Sequence, residues 1–383
     1  MAPDGTWSPG GAGSPGATID IAAGSAPAAR PPFGSGRLES VDLGPFALEA
    51  GGSPIPVTLA YRHDGPGPDA PQVFVIHALT GSADAAGDWW EPIIGPGRAL
   101  DTDRYGVLCA NLLGGRYGST GPTSIDPGTG LPYGRRFSKV TARDNARALW
   151  ALAGRLGIER FALVAGGSLG GMIALEVALE RPDAVGHVVP LGAPAATGAM
   201  AIAWNHIQLE LIDALGERGL AIARQLAMTT YRSEQDFDGR FGRGIEPDGR
   251  FSVVSYLDHQ GDKILGRFDT DTYRTLVGIM DTHDVGRGRG GILAAFRGLA
   301  AAGTALTGIG IEGDMLFGPD QVRTMVGEAV GASVDAGYRE IESAKGHDAF
   351  LIEWDQLTAL LTTALADGLA RTEARLATGS GVG

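Results

Sequence analysis

Apolar residues along this chain come in short unbroken runs separated by amphipathic stretches. Val73–Ile76, the apolar part of Tyr105–Leu113, Phe161–Ala165, Val185–Leu191 and Thr304–Ile311 are such runs. Their continuity predicts strands buried on both faces, as in a parallel sheet. Asp144–Leu156 is patterned differently. Ala148, Leu149, Leu152 and Leu156 fall on one side, which predicts an amphipathic helix. Met172–Leu179 consists of good helix formers and follows the third run closely. Strand, helix, strand, helix, strand in this order predicts a mostly parallel α/β sheet. Upstream, Phe46–Glu49 and Val57–Tyr61 read as edge strands, followed by a Gly/Pro/Asp loop over His63–Pro71.

The alternation breaks after Ala193. From Ala199 to about Met280 the pattern is helical and more polar, with a Gly/Asp/Arg-rich loop at Asp238–Arg250. Gly286–Gly291 marks a return. A strand at Thr304–Ile311, a helix at Asp320–Val330, a last strand at Tyr338–Ile341 and a closing helix at Phe350–Leu369 follow. The predicted organisation is a disordered tail over 1–35, an α/β core over 36–195 and 286–383, and a helical cap inserted at 196–285. No internal repeat is visible.

Composition narrows the function classes. The 383 residues are 44% hydrophobic, ample for a large core, and carry a formal charge of −13. That balance argues against nucleic acid or an anionic membrane as partner, because both need clustered Lys and Arg. Residues 1–35 contain no apolar segment of the secretory-signal kind. The longest apolar stretch, Gly291–Ile311, is interrupted by Arg297 and glycines, which excludes a membrane span. Cys109, the single cysteine, reads as a small buried hydrophobe. Without a second cysteine no intrachain disulfide forms, in keeping with a cytoplasmic location.

The candidate chemistry begins at Gly166-Gly167-Ser168-Leu169-Gly170-Gly171, between a predicted strand and a predicted helix. G-x-S-x-G in that context is a nucleophile elbow: the turn is sharp, its neighbours shrink to glycine, and Ser168 is lifted to a helix N-terminus. A serine hydroxyl needs a base, and the base an orienting acid. Behind such an elbow the chain order is serine, acid, histidine. Of the seven histidines, His347 lies in a loop after the last strand and before the last helix, where a base reaches the top of the sheet. Glu312, Asp314 and Asp320 are the candidate acids. Asp314, just past the preceding strand, is favoured; Asp320 after Pro319 also reads as a helix-starting acid. The oxyanion donors fall to the N–H of Leu169 and, in the loop after Val73–Ile76, the N–H of Leu79. His77 reads as a brace for that loop. No metal site is indicated.

Several strings read together resemble the homoserine O-acetyltransferase family of α/β-hydrolase-fold acyltransferases. They are His77-Ala78-Leu79-Thr80-Gly81, Asn111–Gly115, Gly118–Pro122, the elbow, Ser255–Gly261, Asp281–Gly291 with H-D-V-G-R-G-R-G-G, and Gly346-His347-Asp348. The resemblance implies an α/β-hydrolase fold with a helical cap. It implies ping-pong transfer of an acetyl group from acetyl-CoA to L-homoserine through an acyl-serine, on the way to methionine. It also implies no permanently bound cofactor, and a homodimer. Ser168, Asp314 and His347 match the family triad. By motif, Arg224 matches the arginine that binds the amino-acid carboxylate, Asp348 the acid that holds the ammonium, and Tyr231 a further active-site tyrosine.

Physical chemistry bears on those positions separately. A carboxylate in a partly dry pocket suits arginine, which meets it bidentately. The pattern alone leaves Arg224 open between that role and the wet face of an amphipathic helix; Asp348 alone reads as a solvated loop acid. Arg287 and Arg289 read as anchors of the return loop rather than CoA ligands. The chain departs from the family at Arg116, where cysteine is usual, at Leu169, where methionine is common, and in the short loop Ser82–Trp90. These departures leave L-serine as acceptor, succinyl-CoA as donor, and an esterase of the same fold as alternatives.

Overall fold

The computed structural model describes residues 34–379. The expected tail falls almost wholly on residues 1–33, outside the described residues. Eight strands build the main sheet: β1 (Leu38–Phe46), β2 (Ile55–Asp64), β3 (Gln72–Ile76), β4 (Gly106–Ala110), β5 (Phe161–Gly167), β6 (Val185–Leu191), β7 (Ala305–Ile311) and β8 (Ala336–Ile341). They lie in the order β1-β2-β4-β3-β5-β6-β7-β8. β2 is antiparallel to β1 and β4, and every pairing from β4 to β8 is parallel. β3, β4, β5 and β6 are buried at every residue, which is why their sequences are unbroken apolar runs instead of alternating ones.

The helices are α1 (Ala142–Arg155), α2 (Leu169–Glu180), α3 (Ala199–Leu215), α4 (Glu217–Tyr231), α5 (Glu234–Arg240), α6 (Ser252–Leu265), α7 (Thr270–Asp281), α8 (Ile292–Ala302), α9 (Pro319–Gly331) and α10 (Trp354–Gly379). α1, α2, α8 and α9 share one core with the sheet; α10 packs with Trp90 and Ile93 in the other. α1 starts in a capping box: Thr141 Oγ1 accepts from the Asp144 N–H, and the Asp144 carboxylate accepts from the Thr141 N–H.

α3 to α7 all fall between β6 and the return to the sheet. The chain leaves and re-enters through one neck, where Ala196 and Asp284 form an antiparallel bridge and the Val285 N–H donates to the Ala195 carbonyl at 2.9 Å.

Three local expectations are corrected. The edge strand expected over Phe46–Glu49 ends at Phe46, because Leu48 turns into the core and Glu49 meets the Arg143 guanidinium at 2.8 Å. α5 starts where Ser233 Oγ accepts the Asp236 N–H and runs to Arg240, into the expected Asp238–Arg250 loop, because the Phe241 N–H closes a last turn on the Phe237 carbonyl at 2.9 Å. The closing helix begins at Trp354, not Phe350, since Gly346–Leu351 is a separate 3₁₀ turn. Among the described residues, no helix is long and apolar enough to cross a membrane, and no cluster of His, Cys, Asp and Glu is arranged to hold a metal ion.

Candidate active site

β5 runs straight into α2, and Ser168 is the residue at the bend. Its backbone sits at φ 56° and ψ −127°, outside the regions L-residues ordinarily occupy. Such a conformation costs roughly 1–3 kcal/mol and persists only where the surroundings impose it. They do so here: the Ser168 N–H donates to the Leu191 carbonyl of β6 at 2.8 Å. A Cβ on Gly170 would stand 2.2 Å from the Ile76 carbonyl oxygen, so α2 meets the end of β3 without room for any side chain. Leu169 opens α2, where the first N–H groups have no carbonyl a turn behind them.

The second half of the site comes from the far end of the chain. His347 Nδ1 lies 2.7 Å from Asp314 Oδ2, with both side chains buried. Asp314 is held by its other oxygen, which accepts the N–H groups of Leu316 at 2.8 Å and Phe317 at 2.9 Å. Glu312 is exposed, and Asp320 opens α9 and pairs with Arg323, so neither reaches the histidine. Burial alone would push the His347 proton off, but the charge and hydrogen bond of Asp314, with help from Asp348, outweigh it and raise the pKa. The remaining ring nitrogen, Nε2, is buried and has no hydrogen-bond partner among the described residues. Gly192 ties the halves together. It follows the Leu191 that receives the Ser168 N–H, and a Cβ on it would come within 3.3 Å of both Asp314 Oδ2 and His347 Cε1.

Around the imidazole lie Phe317, Phe350 and Tyr231, with ring centroids at 5.6, 5.7 and 5.8 Å. Tyr231 ends α4, and the Arg224 guanidinium lies over its ring at 5.2 Å. Burial raises the Tyr231 pKa, with the Arg224 charge opposing. Arg224 Nη1 is buried and has no hydrogen-bond partner among the described residues. Asp348 lies 3.2 Å from Arg232 Nε. The sequence reading missed that Arg232 shares Asp348; a second arginine beside Tyr231 was the available signal. It also missed Asp236, a buried carboxylate that meets Lys345 Nζ at 2.8 Å, Arg240 at 3.5 Å and Arg232 at 3.7 Å. Together with the hydrogen bond from Ser233 Oγ to the Ala344 carbonyl, it straps the His347 loop to the α4–α5 junction. Gly346 makes that contact possible: its φ is 66°, and a Cβ there would stand 2.7 Å from the Ser233 nitrogen.

The loop after β3 is braced from within. Burial holds the His77 pKa down to about 4, so the ring is neutral. Nδ1 lies 2.7 Å from the Ala78 carbonyl and Nε2 accepts the Leu112 N–H at 3.3 Å, which assigns the proton to Nδ1. The N–H groups of Leu79 and Thr80 have no partner among the described residues. Arg287 and Arg289 anchor the return loop: Arg287 meets Glu49 at 2.9 Å, and Arg289 meets Glu176 and Glu180, each at 2.8 Å.

Residues 71–243 match the family model of the alpha/beta hydrolase fold. The homoserine O-acetyltransferase of Moorella thermoacetica is 41% identical over 347 residues, covering 82% of this chain and 91% of that protein. The chain belongs to the homoserine O-acetyltransferase family. The enzyme of that name from Thermus thermophilus is 44% identical, with 79% of this chain and 82% of that protein covered. Among solved structures, the homoserine O-acetyltransferase from Bacillus anthracis superposes with a TM-score of 0.80 at 23% identity, over 86% of this chain and 97% of that one. Esterase E22 superposes with 0.79 at 22% identity, over 86% and 99%. These two likenesses show the α/β-hydrolase fold alone; the sequence relatives show the family.

Proposed function

We propose that this chain transfers an acetyl group from acetyl-CoA to the hydroxyl of L-homoserine, a step in methionine biosynthesis, by a ping-pong mechanism through acyl-Ser168. The observation that carries the reading is Arg224 with its buried, unbonded Nη1, one aromatic ring away from His347. A water-using esterase has no need of a buried guanidinium beside its base, whereas an amino-acid acceptor brings a carboxylate that supplies the missing partner.

In the first half-reaction His347 Nε2 takes the Ser168 hydroxyl proton as Oγ bonds to the thioester carbon. The C–S bond then breaks, and the same proton passes to the leaving sulfur, giving CoA. The N–H groups of Leu79 and Leu169 receive the oxyanion. In the second half His347 takes the homoserine hydroxyl proton, the new O–C bond forms, the Ser168–acyl bond breaks, and the proton returns to Ser168. Asp314 holds the imidazole tautomer throughout. His347 Nε2, without a partner among the described residues, is the atom that meets the Ser168 hydroxyl when substrate arrives, since catalytic hydrogen bonds commonly form or tighten only in the substrate complex. Arg224 receives the carboxylate and Tyr231 packs beside it. Asp348 receives the ammonium, and Arg232 holds that carboxylate in place.

Helices α3–α7 serve as the cap, spanning 196–285 with the Ala196–Asp284 bridge as its neck, and keep water from the acyl-enzyme. The enzyme works without a bound cofactor, in the cytoplasm, as a homodimer formed through cap helices. Exposed Ile202, Ile207 and Leu215 on α3 and Val254 and Leu265 on α6 support that assembly.

The test is CoA release from purified protein with acetyl-CoA and L-homoserine, run against Ser168→Ala. The expected outcome is release that needs homoserine and Ser168, and a Ser168 peptide heavier by one acetyl group when homoserine is withheld. Faster turnover of succinyl-CoA, of L-serine, or of an aryl acetate in water would replace the reading by the corresponding alternative.

A further inference from the structure

Arg267 sits in the link between α6 and α7, far in sequence from the triad. Its Nη2 donates to the Thr80 carbonyl at 2.5 Å, in the loop after β3. Its own carbonyl accepts from Arg116 Nη1 at 2.6 Å, and Asp269 lies 3.9 Å from Arg116 Nε. Arg116 thus holds the link that carries Arg267.

The bonds beyond Thr80 form a directed series. The Thr80 carbonyl and the Gly81 N–H belong to one peptide group. That Gly81 N–H donates to the Ala78 carbonyl at 2.9 Å. The Ala78 carbonyl and the Leu79 N–H belong to the next peptide group in the series. The series therefore starts at a guanidinium charge and ends at the Leu79 N–H. Each hydrogen bond in such a chain polarises the next, and a charged donor at the head strengthens the whole. The Ala78 carbonyl also accepts from His77 Nδ1–H at 2.7 Å, which pulls in the same direction.

We propose that Arg267 is a positioning residue for acyl transfer: through the Thr80–Gly81 and Ala78–Leu79 peptide groups it orients and polarises the Leu79 N–H of the oxyanion hole. The inference rests on the reading of Leu79 as an oxyanion donor. Lys263 is depressed by burial first and then by the charges of Arg267 and Arg224, so three cations crowd this side, with Asp88 as a counter-charge to Arg267. The Thr80 carbonyl is the acceptor that fixes the guanidinium on this side. The arrangement also makes the hole depend on the cap, since Arg267 reaches Thr80 only when the α6–α7 link lies over the sheet.

Arg267→Gln keeps an N–H donor but removes the charge; Arg267→Lys keeps the charge. Rates are normalised to sites titrated with a fluorophosphonate, so misfolded protein does not count. Arg267→Gln is expected to lower kcat on the order of tenfold, less than the ~10²–10³ of losing a donor outright. KM for homoserine stays unchanged, aryl-acetate hydrolysis falls by the same factor, and Arg267→Lys recovers most of the loss. Unaltered kcat per titrated site in Arg267→Gln would overturn the inference. So would a rise in homoserine KM at constant kcat, which would make Arg267 a substrate-binding cation. Ser168→Ala, compared per mole of folded protein because it has no serine to titrate, separates the two levels. If it leaves CoA release intact, the proposed function fails; if it abolishes release while Arg267→Gln is silent, only the role of Arg267 fails.

Discussion

At His347, burial works against protonation while the Asp314 carboxylate at 2.7 Å works for it and prevails. The imidazole must be neutral to act as a base, so kcat/KM is expected to rise with pH through a value above the ordinary 6.5 of histidine. Asp314→Asn should shift that limb to lower pH and reduce kcat by on the order of 10⁴, as loss of an orienting acid does. A pH–rate profile of both proteins checks this. Stability follows the same sign. Because the folded pKa is raised, the ion pair stabilises the fold most below the unfolded pKa, and that contribution is lost as pH climbs through the folded value. Ser168 yields a second prediction at this scale. Ser168→Ala and Ser168→Gly both lack the hydroxyl, but only glycine accepts φ 56° without strain. Ser168→Gly should therefore be the more stable of the two by about 1 kcal/mol in a denaturant melt, with neither releasing CoA. These residues were legible because each is announced by its neighbours: glycines around the serine, and a loop position after a strand for Asp314 and His347. Arg232, Asp236 and Arg267 were not, since an arginine or aspartate within a polar helical stretch looks the same whether it faces water or another loop.

Between elements, buried charge does what the sheet cannot. Glu176 on α2 is almost fully buried and meets Arg143 of α1 at 3.2 Å and Arg289 of the return loop at 2.8 Å. Glu49, past the end of β1, meets Arg143 and Arg287. Glu176→Gln leaves two guanidinium groups facing a neutral amide in a dry place. It should cost about 3 kcal/mol of stability, read as a lowered denaturation midpoint at unchanged slope. Asp236 is the corresponding clamp on the His347 loop. Asp236→Asn should lower kcat with a smaller loss of stability, because its partners are nearer to solvent; parallel melts and kinetics check that split. The alternation of runs foretold the sheet strands from β2 onward and the helices α1, α2, α9 and α10, but β1 lies almost wholly upstream of the strand expected at Phe46–Glu49, and α8 was not foreseen within an apolar stretch. Other errors lay at ends, where α5 ran on into an expected loop and a 3₁₀ turn delayed α10. Ends depend on single hydrogen bonds that a periodic pattern does not carry.

For the molecule as a whole, the exposed apolar side chains of α3 and α6 make the assembly testable. Sedimentation should show a dimer, and Ile207→Asp with Leu215→Asp should give a monomer. By itself the sequence determined the parallel α/β core, the elbow serine and the order serine, acid, histidine, because burial on both faces and a tight turn each leave a local mark. The family strings added the arginine and the acid proposed for the acceptor, Arg224 and Asp348. Tertiary structure alone decided which acid meets His347, that Arg232 shares Asp348, and that Arg267 closes a hydrogen-bonded series on the loop after β3. Those facts are contacts between segments far apart in the chain: Asp314 lies 33 residues from His347, and Thr80 lies 187 residues from Arg267. Separation of that kind is set by the packing of whole elements, and no local window of residues contains it.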